Sequence, residues 1–170
     1  MIEGALMASK LYGRRNAAII LISYRHALRV SEATGLEWNN IFFQSKTVHV
    51  RRLKNSDDST HYLEADETEE LYWLREAFPN SKYVFCTRSQ RKLAPRTVQE
   101  IVAKAGIFAA LPFPVHPHML RHAKGYQLTA KNAHMRAIQK YFGHKNIQHT
   151  ALYTEMSPER FKDFGLGDLS

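Results

Sequence analysis

Several features that define other protein classes are missing from this sequence of 170 residues. A single cysteine, Cys86, excludes an internal disulfide framework and any zinc site that needs two thiolates, and it fits a reducing compartment. No run approaches about eighteen apolar residues, so no transmembrane helix is predicted. Residues 1–12 lack a basic start followed by an apolar stretch, which predicts no signal peptide. A content of 44% hydrophobic and 24% charged residues is typical of a globular domain and excludes wholesale disorder.

Negative charge is nearly absent from one long stretch of the chain. From Arg88 to Tyr153 there are eleven Lys or Arg residues and one acid, Glu100, which is a net charge of +10. Five acids are instead concentrated between Glu64 and Glu70. A solvated basic face is one explanation of such an excess, and a polyanionic partner is the other. A stretch this long with charge of a single sign favours a nucleic acid as the partner.

Hydrophobic periodicity and turn residues predict one mainly helical α+β domain with a small three-stranded antiparallel sheet. Residues 14–27 have the apolar spacing of a helix, and Ser31 is expected to cap a short second helix that Gly35 ends. Strands are predicted at 41–43, 47–53 and 60–63, and residues 83–86 form a brief extended run. Further helices are predicted at 66–78, from 95, 117–130, 134–142 and 147–152, with a last helical turn from 158.

The segment HPHMLRH at 116–122 brings two imidazoles and a guanidinium to one helix face, through His118, Arg121 and His122. The segment lacks the Glu of the HExxH zinc motif, and Arg121 would put a fixed positive charge beside a metal. A zinc hydrolase is therefore not expected. Arg offers paired donors to phosphate oxygens and His can donate a proton, so an anion site is one interpretation. A buried structural histidine pair is the other.

Three further positions carry groups that could act on an anion. Arg29 lies just before a helix start, where backbone N–H groups favour anions. Lys54 lies in the turn between two predicted strands, from which a flexible amine can reach into a cleft. Tyr153 follows the helix break at Gly143-His144, and a helical tyrosine alone is more often a packing residue.

Four segments in order resemble the catalytic domain of the tyrosine recombinases, the phage integrase family. They are ALRVSE at 27–32, RRLKN at 51–55, HPHMLRH at 116–122 and GHKNIQHTALY at 143–153. The resemblance extends from about Gly13 to Pro158. YRHALRVSE, RRLKN followed by HYL, and HPHMLRHAKGY are especially similar to the small enterobacterial recombinases that invert fimbrial phase-variation switches.

The resemblance implies a site that holds the scissile phosphate of DNA. Arg29 and Arg121 would clamp that phosphate, and His144 would hydrogen-bond a nonbridging oxygen. His118 would be a general acid or base near the phosphate. Glu32 would support the site as an acidic partner that orients Arg29 or the Lys54 turn.

The resemblance also implies the groups that break and remake the strand. Tyr153 would be the nucleophile that forms a covalent 3′-phosphotyrosine, Lys54 would protonate the leaving 5′-oxygen, and His122 would support them. No metal, ATP or other cofactor is implied, because Arg, His and Lys can stabilise the transition state in place of Mg²⁺. Candidate contacts that would position a duplex are Arg96, Lys124, Arg136, Lys140 and Lys145.

Partners and boundaries follow from the same resemblance. It implies a bacterial cytoplasmic, nucleoid-associated recombinase that binds a double-stranded recombination site and inverts a fimbrial promoter switch. Its copies would form a tetramer on synapsed DNA and be monomeric when free, with DNA-bending accessory proteins and no membrane. Residues 1–170 are expected to form one catalytic domain without a separate N-terminal core-binding domain. Residues 154–170 would be a C-terminal tail that docks on a neighbouring protomer or on its own domain.

Two other functions remain open for this fold. One is a DNA-binding regulator that no longer cuts, which would have no need of Tyr153 together with both arginines. The other is a type IB topoisomerase-like relaxing enzyme, which shares the chemistry but needs no sequence-specific pairing of sites.

Overall fold

Helices surround a small sheet in the computed structural model, which describes residues 10–52 and 56–155. In chain order the elements are α1 (Lys10–Arg25), α2 (Val30–Thr34), a 3₁₀ turn (Trp38–Asn40), β1 (Ile41–Phe42), β2 (Thr47–Val50), β3 (Ser59–Tyr62), α3 (Ala65–Ala77), α4 (Pro95–Phe108), α5 (Pro117–Ala130), α6 (Met135–Phe142) and α7 (Gln148–Glu155). The predicted fold class is confirmed by this architecture. None of the described helices is both long and apolar enough to cross a membrane.

The sheet has the strand order β1-β2-β3, and both pairings are antiparallel. The register pairs Val48 with His61 and Val50 with Ser59. Because side chains alternate along a strand, Val48 and Val50 point into the core, while Thr47 and His49 stay partly exposed. The sheet therefore buries one face and leaves the other towards solvent.

The main core lies where α1 packs against α3 and α5. Its fully buried side chains include Ile19, Leu28, Leu71, Leu74 and Phe85. Burying a side chain of this kind contributes about 1.5–3 kcal/mol, so this cluster supplies much of the stability of the domain.

A second, smaller cluster joins the C-terminal helices to the end of α1. It contains Ala27, Ile138, Phe142 and Tyr153, each less than 4% exposed. The cluster matters for function because it seats the predicted nucleophile, Tyr153, against the corner where α1 ends.

The end of α1 is held in a tight Schellman-type turn. The N–H of Leu28 donates to Ser23 O (2.9 Å) and the N–H of Ala27 donates to Tyr24 O (3.2 Å). Ala27 occupies the left-handed position of this turn, with φ of 51°, where glycine is usual. A left-handed alanine costs about 1–2 kcal/mol. This strained conformation directs the Ala27 carbonyl towards two buried arginines of the site.

The structure differs from the sequence predictions in three places. Helix α1 runs over 10–25 rather than 14–27, because the chain turns at Ala27. Arg29, not Ser31, is the N-cap of α2. The strand predicted at 47–53 ends at Val50. The extended run predicted at 83–86 contributes isolated bridges at Tyr83 and Cys86. The turn predicted from 158 lies outside the described residues.

Candidate active site

Arg29 stands at the start of α2 with its guanidinium partly exposed. Its Nη1 donates to Glu32 Oε1 (2.7 Å) and its Nη2 to Ser56 Oγ (3.4 Å). The backbone N–H of Arg29 donates to Glu32 Oε2 (2.8 Å), which is half of a capping box. One carboxylate thus fixes both the backbone and the side chain of Arg29.

Glu32 is buried, with 1% of its side chain exposed. Burial alone would raise the pKa of this carboxyl, but the positive charge of Arg52 and the hydrogen bonds from Arg29 outweigh it, and the pKa is lowered. Besides its bonds with Arg29, Glu32 accepts from Arg52 Nη1 (2.7 Å) and lies 4.0 Å from Arg121 Nη1. Glu32 is therefore an anion shared by three guanidinium groups.

Arg52 is a site residue that the sequence analysis did not identify. Its side chain is fully buried. Nη1 donates to Ala27 O (3.1 Å) and to Glu32, and Nη2 donates to His26 O (3.1 Å) and Tyr141 O (2.7 Å). Arg52 therefore ties the sheet to the ends of α1 and α6.

A signal for Arg52 was present in the sequence. Val48 and Val50 alternate on the buried face of β2, and the same period of two puts residue 52 on that face. When the alternation of a strand places a charged residue on its buried face, that residue is expected to form a buried ion pair. Its neighbour Arg51 has the opposite phase and is exposed.

Arg121 projects from α5 into the interior and is 4% exposed. It donates through Nη1 to Ala27 O and through Nη2 to Phe142 O (2.9 Å), and its guanidinium lies 4.7 Å from the centre of the Phe142 ring. Burial, followed by the charges of Arg52 and Arg29, lowers the pKa of Arg121 to about 9. The group therefore stays cationic near neutrality.

His144 follows the left-handed Gly143 that ends α6. Arg121 Nη2 lies 3.1 Å from Nε2 of His144, and since a guanidinium only donates, Nε2 must accept. Nδ1 then carries the proton and donates to Thr150 Oγ1 (3.0 Å). Burial and the charge of Arg121 lower the pKa of His144 to about 4. His144 is thus neutral and bonded to Arg121.

Tyr153 is 3% exposed and its hydroxyl lies 3.3 Å from Nδ1 of His122. The ring packs edge-on to Tyr126 and against Phe142. Its other face lies on Gly125, where an added Cβ would stand 2.7 Å from the ring. Burial raises the pKa of Tyr153, and the charges of Arg121 and Arg29 oppose that increase. The phenol is therefore protonated and held close to the cationic groups.

His118 lies on the exposed side of α5 and shares an open cleft of about 730 Å³ with Arg29. The floor of the cleft includes Val115 and Pro117. The rings of His118 and His122 are 6.0 Å apart, as expected one helical turn from each other. The cleft gives a ligand access from solvent to the partly exposed Arg29.

Lys54 lies outside the described residues. The segment around it is tied to the site on both sides: Arg52 contacts Glu32, and Ser56 accepts from Arg29. The N–H of Asp57 also donates to Gly143 O (3.1 Å), next to His144.

The five residues expected to contact a DNA backbone line different clefts or lie exposed on helices. Arg136 and Lys145 line one open groove beside Gln139, Asn146 and Ile147. Lys140 is exposed on α6, and Arg96 is exposed on α4 and paired with Glu100 (3.2 Å). Lys124 lies in a different cleft, with Tyr24 and Glu64, and donates to Gln127 (2.9 Å).

The arrangement provides fixed positive charge and no recognisable metal site. Across the parts of the chain that the structure describes, no three His, Cys, Asp or Glu side chains are placed to hold a metal ion. Instead, Arg29 and Arg121 share Glu32, Arg121 contacts His144, and the phenol of Tyr153 packs nearby against Phe142. Such a set suits stabilisation of charge on a phosphate and attack by the phenol oxygen.

The sequence matches known proteins over nearly its whole length. Residues 4–160 match the family model described as the phage integrase family. The type 1 fimbriae regulatory protein FimE of Escherichia coli is 36% identical, over 92% of this chain and 84% of that protein. FimB of the same organism is 34% identical over 98% of this chain and 86% of that protein. Tyrosine recombinase XerC of Pseudomonas aeruginosa is 31% identical over 92% of this chain and 52% of its own length.

Solved structures with the same fold include site-specific recombinases. The crystal structure of XerA recombinase superposes with a TM-score of 0.80 at 21% identity, over 96% of this chain and 60% of that chain. XerH site-specific recombinase, in a post-cleavage complex with palindromic difH DNA, gives 0.81 at 22% identity, over 96% and 49%. The chain thus spans about half to three-fifths of the length of these structures.

Proposed function

The chain belongs to the phage integrase family of tyrosine recombinases, and on that premise we propose that it breaks and rejoins DNA through a covalent 3′-phosphotyrosine at Tyr153. The observation that carries this proposal is the convergence of Arg29, Arg121 and His144 on one corner, with Tyr153 packed beside them. A protein that only binds DNA has no chemical need for a buried phenol next to two guanidinium groups.

Arg29 and Arg121 hold the scissile phosphate in this proposal. Arg29 is the accessible member, since it lines the cleft, and Arg121 is the buried member whose donors face Ala27, Phe142 and His144. Donors held in place before the reaction stabilise the developing charge on the nonbridging oxygens without reorganisation. Loss of one such donor costs about 10²–10³ in rate.

Tyr153 is the nucleophile and Lys54 protonates the leaving 5′-oxygen. The flanking residues Arg52 and Ser56 support this role for Lys54, because both contact groups of the site. The phosphotyrosine preserves the energy of the phosphodiester, so the strand is rejoined without ATP. His118, beside Arg29 in the cleft, donates a hydrogen bond to the phosphate or acts as a general acid or base beside it.

The partner is a double-stranded recombination site, and the biological reaction is inversion of a fimbrial promoter switch. The similarity to FimE and FimB over most of their lengths supports this assignment. Residues 1–170 act as one catalytic domain, and four copies assemble on two synapsed sites with DNA-bending accessory proteins. The tail at 154–170, which lies largely outside the described residues, docks on a neighbouring copy or on its own domain.

The test is covalent capture of DNA. The chain first selects its binding site from a randomised duplex library, and that site is then nicked to make a suicide substrate. We expect a protein–DNA adduct that survives denaturation, forms in excess chelator, and is lost in Tyr153→Phe while gel-shift binding persists. Binding without any adduct would favour a non-cutting regulator. Relaxation of plasmids that lack the selected site would favour a topoisomerase.

A further inference from the structure

His122 contacts the hydroxyl oxygen of Tyr153, the atom that would attack the phosphate. The supporting role that the family resemblance implies for His122 does not explain this contact. Nδ1 of His122 lies 3.3 Å from the hydroxyl oxygen of Tyr153. A phenol donates its proton readily, and a neutral imidazole has one nitrogen that accepts. With the imidazole proton on Nε2, Nδ1 accepts from the phenol, and the contact is then an O–H···N hydrogen bond along the path of a proton transfer.

We propose that His122 is the general base that removes the proton from Tyr153 as its oxygen attacks the scissile phosphorus. The proposal rests on the proposed function, and it assigns the base to the second histidine of the HPHMLRH segment. His118, which lines the cleft with Arg29, is then left to act on the phosphate itself.

The packing around Tyr153 limits where its hydroxyl can point. Gly125 lies under the ring and leaves no room for a methyl group, while Phe142 and Tyr126 contact it from two other directions. Rotation of the ring away from His122 would require these neighbours to move. The hydroxyl is therefore directed to His122 by packing, and not by the hydrogen bond alone.

Burial and the neighbouring groups lower the pKa of His122 and keep it in its basic, neutral form. His116, His118 and Arg121 approach it from its own segment, and Tyr153 approaches from α7. Burial and then the nearby His118 and Arg121 lower the pKa of His122 below its ordinary value of 6.5. Because His122 is otherwise exposed, Nε2 can pass a proton to water once Nδ1 has accepted one.

In the cleavage step, each bond that forms is matched by a bond that breaks. The O–H bond of Tyr153 breaks and its proton moves to His122 Nδ1 while the bond from the Tyr153 oxygen to phosphorus forms. The bond from phosphorus to the 5′-oxygen breaks, and that oxygen takes a proton from the general acid. Because the pKa of Tyr153 is raised and that of His122 is lowered, the proton stays on oxygen until the bond to phosphorus begins to form.

The experiment measures the rate of adduct formation on the nicked suicide substrate, in single turnover and across pH. We compare the wild type with His122→Ala, with and without added imidazole, and with the control His49→Ala, which removes a histidine of the sheet. A general base contributes about 10²–10⁴-fold, so His122→Ala is expected to be at least about 10²-fold slower at neutral pH. Gel-shift affinity and melting temperature are expected to stay at the wild-type values.

The pH profile separates a base from a structural support. The wild-type rate should be flat near neutrality and fall in acid, as His122 is protonated. The rate of His122→Ala should instead rise about tenfold per pH unit, since only ionised Tyr153 reacts. Imidazole should restore part of the rate, because the exposed site admits it.

Two results would overturn the proposal. If His122→Ala forms the adduct as fast as the wild type or faster, His122 only positions Tyr153 and is not the base. A slower rate with an unchanged pH profile and no response to imidazole would make it structural. If the wild type itself forms no adduct through Tyr153, the proposed function fails, which is a distinct outcome.

Discussion

Replacing the buried Arg52 with methionine tests whether this residue builds the site. The variant Arg52→Met keeps an unbranched apolar stem, although a shorter one, and removes the guanidinium with its charge and four hydrogen bonds. Breaking a buried ion pair typically costs about 3–5 kcal/mol, because the remaining charge has no partner. Here Glu32 keeps Arg29 at 2.7 Å, so we expect the lower end, about 3 kcal/mol of the free energy of unfolding.

The exposed neighbour Arg51 offers a matched control. Arg51→Met makes the same chemical change one residue earlier, outside the core, and should alter stability by less than about 0.5 kcal/mol. Urea unfolding, followed by far-ultraviolet circular dichroism, gives both values. Adduct formation should fall at least about 10²-fold in Arg52→Met, since Arg29 and Arg121 lose the frame that orients them. Equal stabilities of the two variants would refute the assignment of Arg52 as the residue that joins the sheet to α1 and α6.

Four further predictions concern single positions. Gly143→Ala should destabilise the domain by at least about 1–2 kcal/mol in urea unfolding, because residue 143 is left-handed (φ 67°) and the methyl would lie 2.8 Å from a buried arginine carbon. The pKa of Glu32 is lowered from 4.5 in the folded protein, so its carboxylate contributes stability above pH 4.5. That contribution is lost as the pH falls through the folded pKa, and the difference in stability between the wild type and Glu32→Gln should therefore shrink in acid. Bound phosphate favours a charged imidazole, so site DNA should raise the pKa of His144 from about 4 in NMR titrations, and an unchanged value would exclude contact with the phosphate. Lys145→Ala should reduce the slope of log affinity against log salt by about 0.9, and an unchanged slope would exclude a phosphate contact at this position.

The fold class and the family resemblance were accessible from the sequence and are confirmed. The alternation at Thr47–Val50 and the helical spacing of the later segments predicted the main elements, because these patterns report which side of each element is buried. The start of α2 was misplaced at Ser31. Side-chain capping by serine is a local preference, whereas here the carboxylate of Glu32, one residue further on, binds the Arg29 backbone and sets the start.

The candidate site was predictable as a set of residues but not as a structure. Spacing put His118, Arg121 and His122 on one helix, yet could not tell that Arg121 turns inward while His118 stays at the surface. Residue spacing also could not indicate that the carboxylate of Glu32 contacts three arginines. Residues 29, 52 and 121 are far apart in sequence and come together only when the chain folds. The roles carried over from the family for the individual site residues remain predictions for the experiments above.

The balance of charges in the cluster around Glu32 explains why it stabilises a transition state more than a bound substrate. Arg29, Arg52 and Arg121 surround the single anion Glu32, and His144 is neutral, so the cluster retains two uncompensated positive charges. A phosphodiester brings one negative charge, and attack by an oxygen that is losing its proton adds a second as the bond forms. Backbone carbonyls of residues 26, 27, 141 and 142 hold the two buried guanidinium groups in place, so they need not reorganise as that charge develops. The interaction energy thus grows as the reaction proceeds, which is the condition for acceleration rather than for tighter binding of the substrate.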